Sequence, residues 1–253
     1  DPLASGMLPL CLGEATKIAG DLLEGRKCYT FTVRLGERSA TGDREGEIVE
    51  RIPVPALDAA AIEAGATRFL GSSSQIPPMY SAIKQQGQPL YKLARKGIEV
   101  ERVPRSIDIA SLELQRVEGD ELSWRVLCSK GTYVRVLAED LARVLGTCGH
   151  VVALRREYVE PFAEFPMLRL EAVTAASVAA ALVPADAALP QLPGVEVDSP
   201  SAARLRQGQA LGGVAGGPPG RVKLYEADSG FFGLGELDAT GTLRPSRLFN
   251  RHE

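Results

Sequence analysis

Residues 29–35 alternate strictly between two kinds of side chain. The apolar members are Tyr29, Phe31, Val33 and Leu35, and the polar members are Thr30, Thr32 and Arg34. A period of two is that of a β-strand, in which successive side chains point to opposite faces of the sheet. The stretch therefore predicts a strand with one apolar face, which other elements have to cover.

Helical patterns are interspersed with further strand patterns. We predict helices over residues 15–23, 62–70 with Asp58 as the N-cap, 90–96, 134–145, 170–182 and 202–207. Further strands are predicted at residues 48–54, 107–114, 122–128 and 151–154, and residues 71–81 are predicted to be non-helical loop. Because these elements do not repeat a βαβ unit, the predicted fold class is α+β.

The composition excludes several classes of protein. The chain has 253 residues, of which 45% are hydrophobic and 24% charged, as in an ordinary globular protein. No apolar run approaches the ~20 residues that span a bilayer, and no secretory signal is present, so we expect a cytoplasmic protein without a membrane partner. The four cysteines show neither zinc-site nor disulfide spacing, which predicts buried thiols and no metal site.

The charge distribution is more informative than its sum. A net charge of −3 argues against a generic nucleic-acid-binding protein, which would be strongly basic. Residues 84–105 and residues 125–156 nevertheless each contain six basic and two acidic side chains, a local net charge of +4. Such clusters are either solvated faces or surfaces that follow a phosphate backbone.

The first nine residues read Asp-Pro-Leu-Ala-Ser-Gly-Met-Leu-Pro. Pro2 fixes its own φ and pushes Asp1 toward an extended conformation, so the direction of this carboxylate is restricted. Gly6 allows another backbone or a ligand to approach closely. Residues 10–17 continue as Leu-Cys-Leu-Gly-Glu-Ala-Thr-Lys.

The run from Asp1 to Lys17 closely resembles the catalytic motif of the bacterial tRNA pseudouridine-55 synthases, the TruB family. The resemblance continues at Tyr29, at residues 75–84, at residues 129–135 and into the C-terminal segment. It implies an enzyme, an isomerase that converts uridine to pseudouridine at position 55 in the T loop of tRNA, with Asp1 as the catalytic carboxylate and a uridine flipped out of its stack. This reaction needs no metal and no cofactor.

The resemblance also implies a fold and a domain organisation. We expect a mixed, mostly antiparallel sheet in a catalytic domain over residues 1–195, whose N-terminal part is missing because the family carries several tens of residues upstream of the Asp. Residues 230–235 and 245–249 resemble a small β-rich, PUA-like RNA-binding domain, which we place at residues 196–253. The implied partner is the T arm of tRNA, and we expect a monomer with no obligate protein partner.

Arg135 is the second candidate catalytic residue. If Thr132 caps the helix that follows, Arg135 lies in its first turn, where the macrodipole disfavours a cation, and an anionic partner is expected. In the family the corresponding Arg pairs with the catalytic carboxylate, which would keep Asp1 ionised. Tyr133 matches a family tyrosine beside that carboxylate.

Five further residues are candidates for substrate binding. The position of Tyr29 on an apolar strand face is compatible with core packing, whereas the family places a tyrosine here that stacks on the flipped base. Leu154 is assigned to the pocket wall by the same resemblance, and Lys17 is a candidate phosphate contact. Tyr80 and Lys84 lie in a Pro-Pro-containing segment that either contacts an RNA loop or is a structural connector.

Three other functions compete with this hypothesis. A guide-RNA-dependent pseudouridine synthase shares the Asp motif, but the unbroken run Leu3–Pro9 and the lack of a long basic tail favour a stand-alone enzyme. A non-catalytic tRNA-binding or tRNA-folding module remains open. A glycosidase is disfavoured because no second acid accompanies Asp1 in a matching motif.

Overall fold

The computed structural model describes residues 2–214, 217–227 and 229–250. The strands are β1 Ser5–Gly6, β2 Lys27–Leu35, β3 Glu37–Ser39, β4 Ile48–Arg51, β5 Gly71–Gln75, β6 Lys84–Gln85, β7 Gln88–Pro89, β8 Arg105–Glu118, β9 Glu121–Cys128, β10 Gly149–Val159, β11 Gly194–Val197, β12 Gly220–Glu226, β13 Gly230–Leu237 and β14 Leu243–Leu248. The α-helices are α1 Ala19–Glu24, α2 Ala59–Ala66, α3 Leu90–Ala94, α4 Val134–Val144, α5 Ala175–Ala181 and α6 Ser199–Arg206. Short 3₁₀ helices occupy Gly13–Ile18, Thr67–Phe69, Phe162–Glu164, Leu170–Ala172 and Ala185–Ala188.

The chain forms two compact units. The first contains residues 2–8 and Glu24–Ala163, and the second contains Pro9–Leu23 and the described residues from Glu164 onward. Among the described residues, no helix is both long and apolar enough to cross a bilayer.

A six-stranded sheet organises the first unit. Its strand order is β1-β10-β2-β9-β8-β5, and every neighbouring pair is antiparallel except β1 and β10, which run parallel. The predicted α+β class with a mixed, mostly antiparallel sheet is confirmed. Of the neighbouring strands described in this sheet, only β8 and β9 are consecutive in sequence and form a hairpin, whereas β2 pairs with the distant strands β9 and β10.

The predicted strand at residues 29–35 is confirmed and supplies the centre of the core. Phe31 and Val33 are buried, with Phe31 opposite Trp124 of β9 on one side and opposite Leu154 of β10 on the other. The amphipathic helix α4 lies against this face through Leu137 and other buried residues of the same core. Burial of side chains of this size stabilises the fold by about 1.5–3 kcal/mol each.

Local signals set the helix boundaries. Asp58 caps α2 as predicted, because its carboxylate accepts a hydrogen bond from the Ala61 backbone N–H at 2.7 Å. In α4 the predicted stripe is buried at Val134, Leu137 and Leu141, but Val144 is 37% exposed and does not belong to the core. Apolar residues at an ideal helical spacing do not all face the core, and near the end of the helix such a residue can lie outside the packed face.

Several predicted elements differ from those observed in type or extent. The predicted helix over residues 15–23 is a 3₁₀ helix at Gly13–Ile18 followed by α1, and the predicted helix over residues 62–70 ends as a 3₁₀ helix at Thr67–Phe69. Gly71–Gln75, predicted as loop, forms the edge strand β5, whose backbone pairs with Arg105–Ile109 of β8. The predicted helix over residues 170–182 is divided into a 3₁₀ turn at Leu170–Ala172 and α5, which begins at an N-cap and capping box formed by Thr174 and Ser177. The capping residue starts a new helix where periodicity alone indicated one continuous helix.

The second unit contains a four-stranded sheet of order β11-β12-β13-β14. Its core holds Leu205 of α6 against Val222, Leu224 and Leu243 of the sheet, all fully buried. The predicted helix at residues 202–207 is therefore confirmed in a β-rich module, with Asp198 as its N-cap. Ala188 and Leu189, which precede β11, are also buried.

Candidate active site

Strand β10 fixes the backbone of the N-terminal motif. Ser5 and Gly6 are paired with Arg155 and Arg156, the Met7 N–H donates to the Arg156 carbonyl at 2.8 Å, and Arg156 Nε donates back to the Met7 carbonyl at 2.6 Å. A Cβ on Gly6 would lie 2.0 Å from the Arg156 oxygen, and its φ is +98°. Only glycine fits this position, which confirms the predicted close backbone approach.

Tyr29 and Leu154 lie beside this motif. Tyr29 is the β2 partner of Arg156, and it packs with Leu3 and Ala4 against the same core to which Leu154 belongs. Burial raises the pKa of the Tyr29 hydroxyl, while a hydrogen bond with Arg156 partly opposes that shift. Tyr29 thus remains a neutral phenol with an apolar ring at the edge of the core, and the structure brings it together with Leu154.

Arg135 lies in the first turn of α4, as predicted, but the capping residue is different. The N-cap is Tyr133, which makes no side-chain cap, and the Thr132 hydroxyl lies 3.4 Å from that of Ser129. The predicted cap by Thr132 is therefore wrong. Tyr133 N–H is instead bound by the side-chain oxygen of Gln75 at 2.8 Å, which satisfies one of the donors that a helix start leaves open.

Arg135 is 7% exposed, and its guanidinium is held by several acceptors. Nη1 donates to the Thr41 carbonyl and Nη2 to the Tyr80 carbonyl, each at 2.8 Å, and Nη1 lies 3.5 Å from Asp43 Oδ2. A cation expected to need an anionic partner thus has one in Asp43. Asp1, the partner that the resemblance implies, lies outside the described residues.

Asp43 is the functional candidate that sequence reasoning missed. Its carboxylate is nearly fully buried, and Oδ1 accepts hydrogen bonds from Thr41 Oγ1 at 2.6 Å and from the Glu45 N–H at 3.1 Å. The local sequence Thr-Gly-Asp reads as an ordinary turn, and Gly42 indeed has a φ of +76°. Nothing local shows that β10 holds this turn under α4, through a hydrogen bond from the Val151 N–H to the Gly42 carbonyl at 3.0 Å.

Tyr80 and Gln75 border an open cleft of about 620 Å³ that Arg135 also lines. Arg102 lies at its rim and donates to the Pro77 carbonyl at 3.2 Å, which holds the Pro-Pro segment. Glu139 of α4 lines the cleft as well, and its burial raises the pKa of its carboxyl despite nearby arginines. The Pro-Pro segment is attached to the first turn of α4 through the hydrogen bond from Arg135 to the Tyr80 carbonyl.

The structure does not bring the two predicted lysines into the hydrogen-bonded network around Arg135. Lys84 is exposed on β6 in the first unit. Lys17 belongs to the second unit, where its ammonium donates to Glu14 Oε2 and to the Leu248 carbonyl, both at 2.7 Å. Their predicted contacts with RNA stay predictions.

The basic clusters are more neutralised than the local count indicated. Arg125 pairs with Glu157 at 2.8 Å, Lys130 pairs with Glu24, and both acids lie outside the counted stretch. Inside the stretches, Arg102 pairs with Glu99 at 2.9 Å and Arg143 with Asp140 at 2.5 Å. Glu157 and Glu24 thus neutralise two basic side chains of residues 125–156 that the local count left unpaired.

Three family models match the chain. The description "TruB family pseudouridylate synthase (N terminal domain)" covers residues 1–134, "tRNA pseudouridylate synthase B C-terminal domain" covers 135–191, and "Pseudouridine synthase II TruB, C-terminal" covers 193–249. The chain is 45% identical to the tRNA pseudouridine synthase B of Nitrosococcus oceani over 98% of this chain and 82% of that protein. It is 48% identical to that of Aromatoleum aromaticum over 98% of this chain and 80% of that protein.

The fold is also similar to that of a solved chain in a Cbf5-Nop10-Gar1 complex. The TM-score is 0.70 at 23% identity, with 99% of this chain and 74% of that chain covered. A chain in an H/ACA RNP bound to a substrate RNA containing 2′-deoxyuridine gives a TM-score of 0.69 at 21% identity, with 99% and 74% covered. At this identity the likeness concerns the fold alone.

Proposed function

The chain belongs to the TruB family of pseudouridylate synthases, and on that premise we propose that it is an isomerase that converts uridine to pseudouridine in tRNA. The reaction breaks the N1–C1′ glycosidic bond and joins C5 of the same base to C1′. Atoms and charge balance without a second substrate. The finer assignment is uridine 55 of the T loop, which fits the motif of residues 1–17.

The observation that carries the proposal is the fixed backbone of the motif. Residues 5–7 are bound to β10 by strand pairing and by the two hydrogen bonds between Met7 and Arg156. A carboxylate that acts on a single sugar or base atom has to be held within a fraction of an ångström of its target. We assign that role to Asp1, four residues before the locked segment.

The remaining residues receive roles that follow from their surroundings. Arg135 is held by Asp43 and by two carbonyls, and we assign it the role of supplying the positive charge that keeps the Asp1 carboxylate ionised. Tyr29 offers a half-buried ring on which a flipped base can stack, and Leu154 contributes the apolar wall. Tyr133 stands at the start of α4, beside Arg135.

We assign different roles to two parts of the sequence. Their boundary at residue 195 differs from that of the compact units, because Pro9–Leu23 and the described residues from Glu164 onward belong to the second unit. Residues 1–195 form the catalytic domain, and residues 196–253 are a PUA-like module that contacts RNA away from the reacting base. We place the protein in the cytoplasm, where its tRNA substrate is found, and assign it no obligate protein partner. Tyr80, Lys84 and Lys17 are the side chains assigned to contacts with the T arm.

The two alternative functions, a guide-RNA-dependent synthase and a non-catalytic tRNA-folding module, are each less well supported. Relatives that are 45–48% identical over 98% of the chain carry the name tRNA pseudouridine synthase B, which favours the stand-alone form over guide-RNA dependence. A non-catalytic tRNA-folding module would have no need for a buried guanidinium fixed by three acceptors.

Tritium release separates these possibilities. The intact protein is incubated with tRNA labelled with tritium at uridine C5, because pseudouridine formation replaces that hydrogen. We expect release by wild type and none by the Asp1→Asn variant, with tRNA binding retained by both. Binding without release in the wild type would leave only the non-catalytic module, and release by Asp1→Asn would remove Asp1 from its role.

A further inference from the structure

We propose that Gln75 is a positioning residue for α4. Its side-chain amide binds both backbone polar groups of Tyr133, an arrangement that we call the clasp, and thereby fixes the position of Arg135. The inference rests on the proposed function for its activity readout. It assigns a task to a buried polar side chain that none of the roles above uses.

The geometry of the clasp is reciprocal. Gln75 Oε1 accepts the Tyr133 N–H at 2.8 Å, and Gln75 Nε2 donates to the Tyr133 carbonyl at 3.2 Å. The same carbonyl also accepts the first helical hydrogen bond, from the Leu137 N–H at 3.1 Å. Both polar atoms of one side chain are therefore bound to both polar groups of a single backbone residue.

The position of the clasp is what makes it relevant to catalysis. Tyr133 is the N-cap of α4 and makes no side-chain cap, and Gln75 binds the N–H of Tyr133 itself, one of the donors that a helix start leaves open. Arg135 follows two residues later, and its Nη2 donates to the carbonyl of Tyr80. The segment from Gln75 to Tyr80 is thus bound at both ends to the first turn of α4.

An amide is suited to this task in a way that other side chains are not. Gln75 is 6% exposed, so water cannot replace a lost partner easily. A methionine of similar length removes both bonds. A glutamate keeps the acceptor for the Tyr133 N–H, but when ionised it places a second acceptor against the Tyr133 carbonyl; when protonated, it donates again and restores the pair.

The test uses these two variants of the intact protein in the tritium-release assay. Gln75→Met should lose about 100-fold in kcat with KM changed less than threefold, because a small displacement of a catalytic group costs about this much. Gln75→Glu should be similarly slow at pH 8 and should regain activity relative to wild type as the pH falls toward 5.5, since a buried carboxyl protonates in this range. Hydrogen exchange at the Tyr133 amide, measured at pH 8, should be faster in Gln75→Met.

Gln115→Glu is the matched control, since Gln115 is exposed on β8 of the same unit. It should follow the wild-type pH profile. If Gln75→Met does not fold, the change in activity of Gln75→Glu between pH 8 and pH 5.5 still tests the inference. Wild-type kcat in the Gln75 variants at every pH, or a loss confined to KM, would overturn the inference. A wild type without tritium release would instead overturn the proposed function, and the exchange measurement would still report on the clasp.

Discussion

At the scale of single residues, the site depends on charges that are buried in pairs. Arg135 is predicted from the family resemblance, and its place in the first turn of a helix, where a cation is unfavourable unless an anion faces it, is compatible with that assignment. Asp43 could not be found from sequence, because its partner is about ninety residues away and its own turn reads as solvent-exposed. Burial of both side chains makes each dependent on the other.

Asp43→Asn should slow catalysis and destabilise the fold. The amide keeps an acceptor for Thr41 and the Glu45 N–H but leaves Arg135 without this negative charge, and breaking a buried pair costs about 3–5 kcal/mol when nothing else compensates. We expect a loss of about 2 kcal/mol or more in the free energy of unfolding, measured by urea denaturation, because two carbonyls still hold the guanidinium.

The matched control for that change is Asp58→Asn. Asp58 is an exposed N-cap, and asparagine caps a helix about as well as aspartate. It should leave stability within about 0.5 kcal/mol of wild type. Equal losses in the free energy of unfolding of the two variants would show that the ion pair with Arg135 does not stabilise the fold.

At the scale of elements, β10 connects the parts of the site. It pairs with β1 of the motif, lies beside Tyr29 of β2 and binds the turn that carries Asp43. The strand was predicted only over residues 151–154, because its pattern is interrupted by register shifts near Val151 and Arg156. Strand β5 was missed because its serines carry no apolar pattern, and the free edge of β8 provides its pairing.

Gly6→Ala tests the contact between β1 and β10. The added methyl would meet the Arg156 carbonyl oxygen at 2.0 Å, so β1 must move away from β10 and carry Asp1 with it. We expect tritium release to fall by about 100-fold or more. Gly71→Ala has a comparable φ of +82° against +98° but no atom within 4 Å of the new methyl, so it should retain most activity. Similar activities in the two variants would mean that the position of β1 is not critical.

At the scale of the whole molecule, two hydrophobic cores form separately from residues far apart in sequence. Sequence could not show that Pro9–Leu23 belongs with the C-terminal unit, because hydrogen bonds such as those from Lys17 to Leu248 and from Asn250 to Glu14 join residues more than 200 positions apart.

Each core should have its own stability. Leu224→Ala and Leu137→Ala each leave a cavity at a fully buried position, which lowers the free energy of unfolding by about 2–5 kcal/mol. Followed by hydrogen exchange, Leu224→Ala should increase exchange mainly in β12 to β14, and Leu137→Ala mainly in α4 and the six-stranded sheet. A uniform increase across both units in either variant would contradict this expectation.

In the proposed function, Arg135 serves the chemical step and is not merely a phosphate contact. The most direct measurement compares Arg135→Lys with wild type for tRNA affinity and, separately, for the rate of tritium release at saturating tRNA. A lysine keeps the charge but cannot bind two carbonyls and a carboxylate at once. We predict a fall of about 100-fold in the saturated rate with affinity within threefold of wild type. An unchanged saturated rate with weakened affinity would contradict the account.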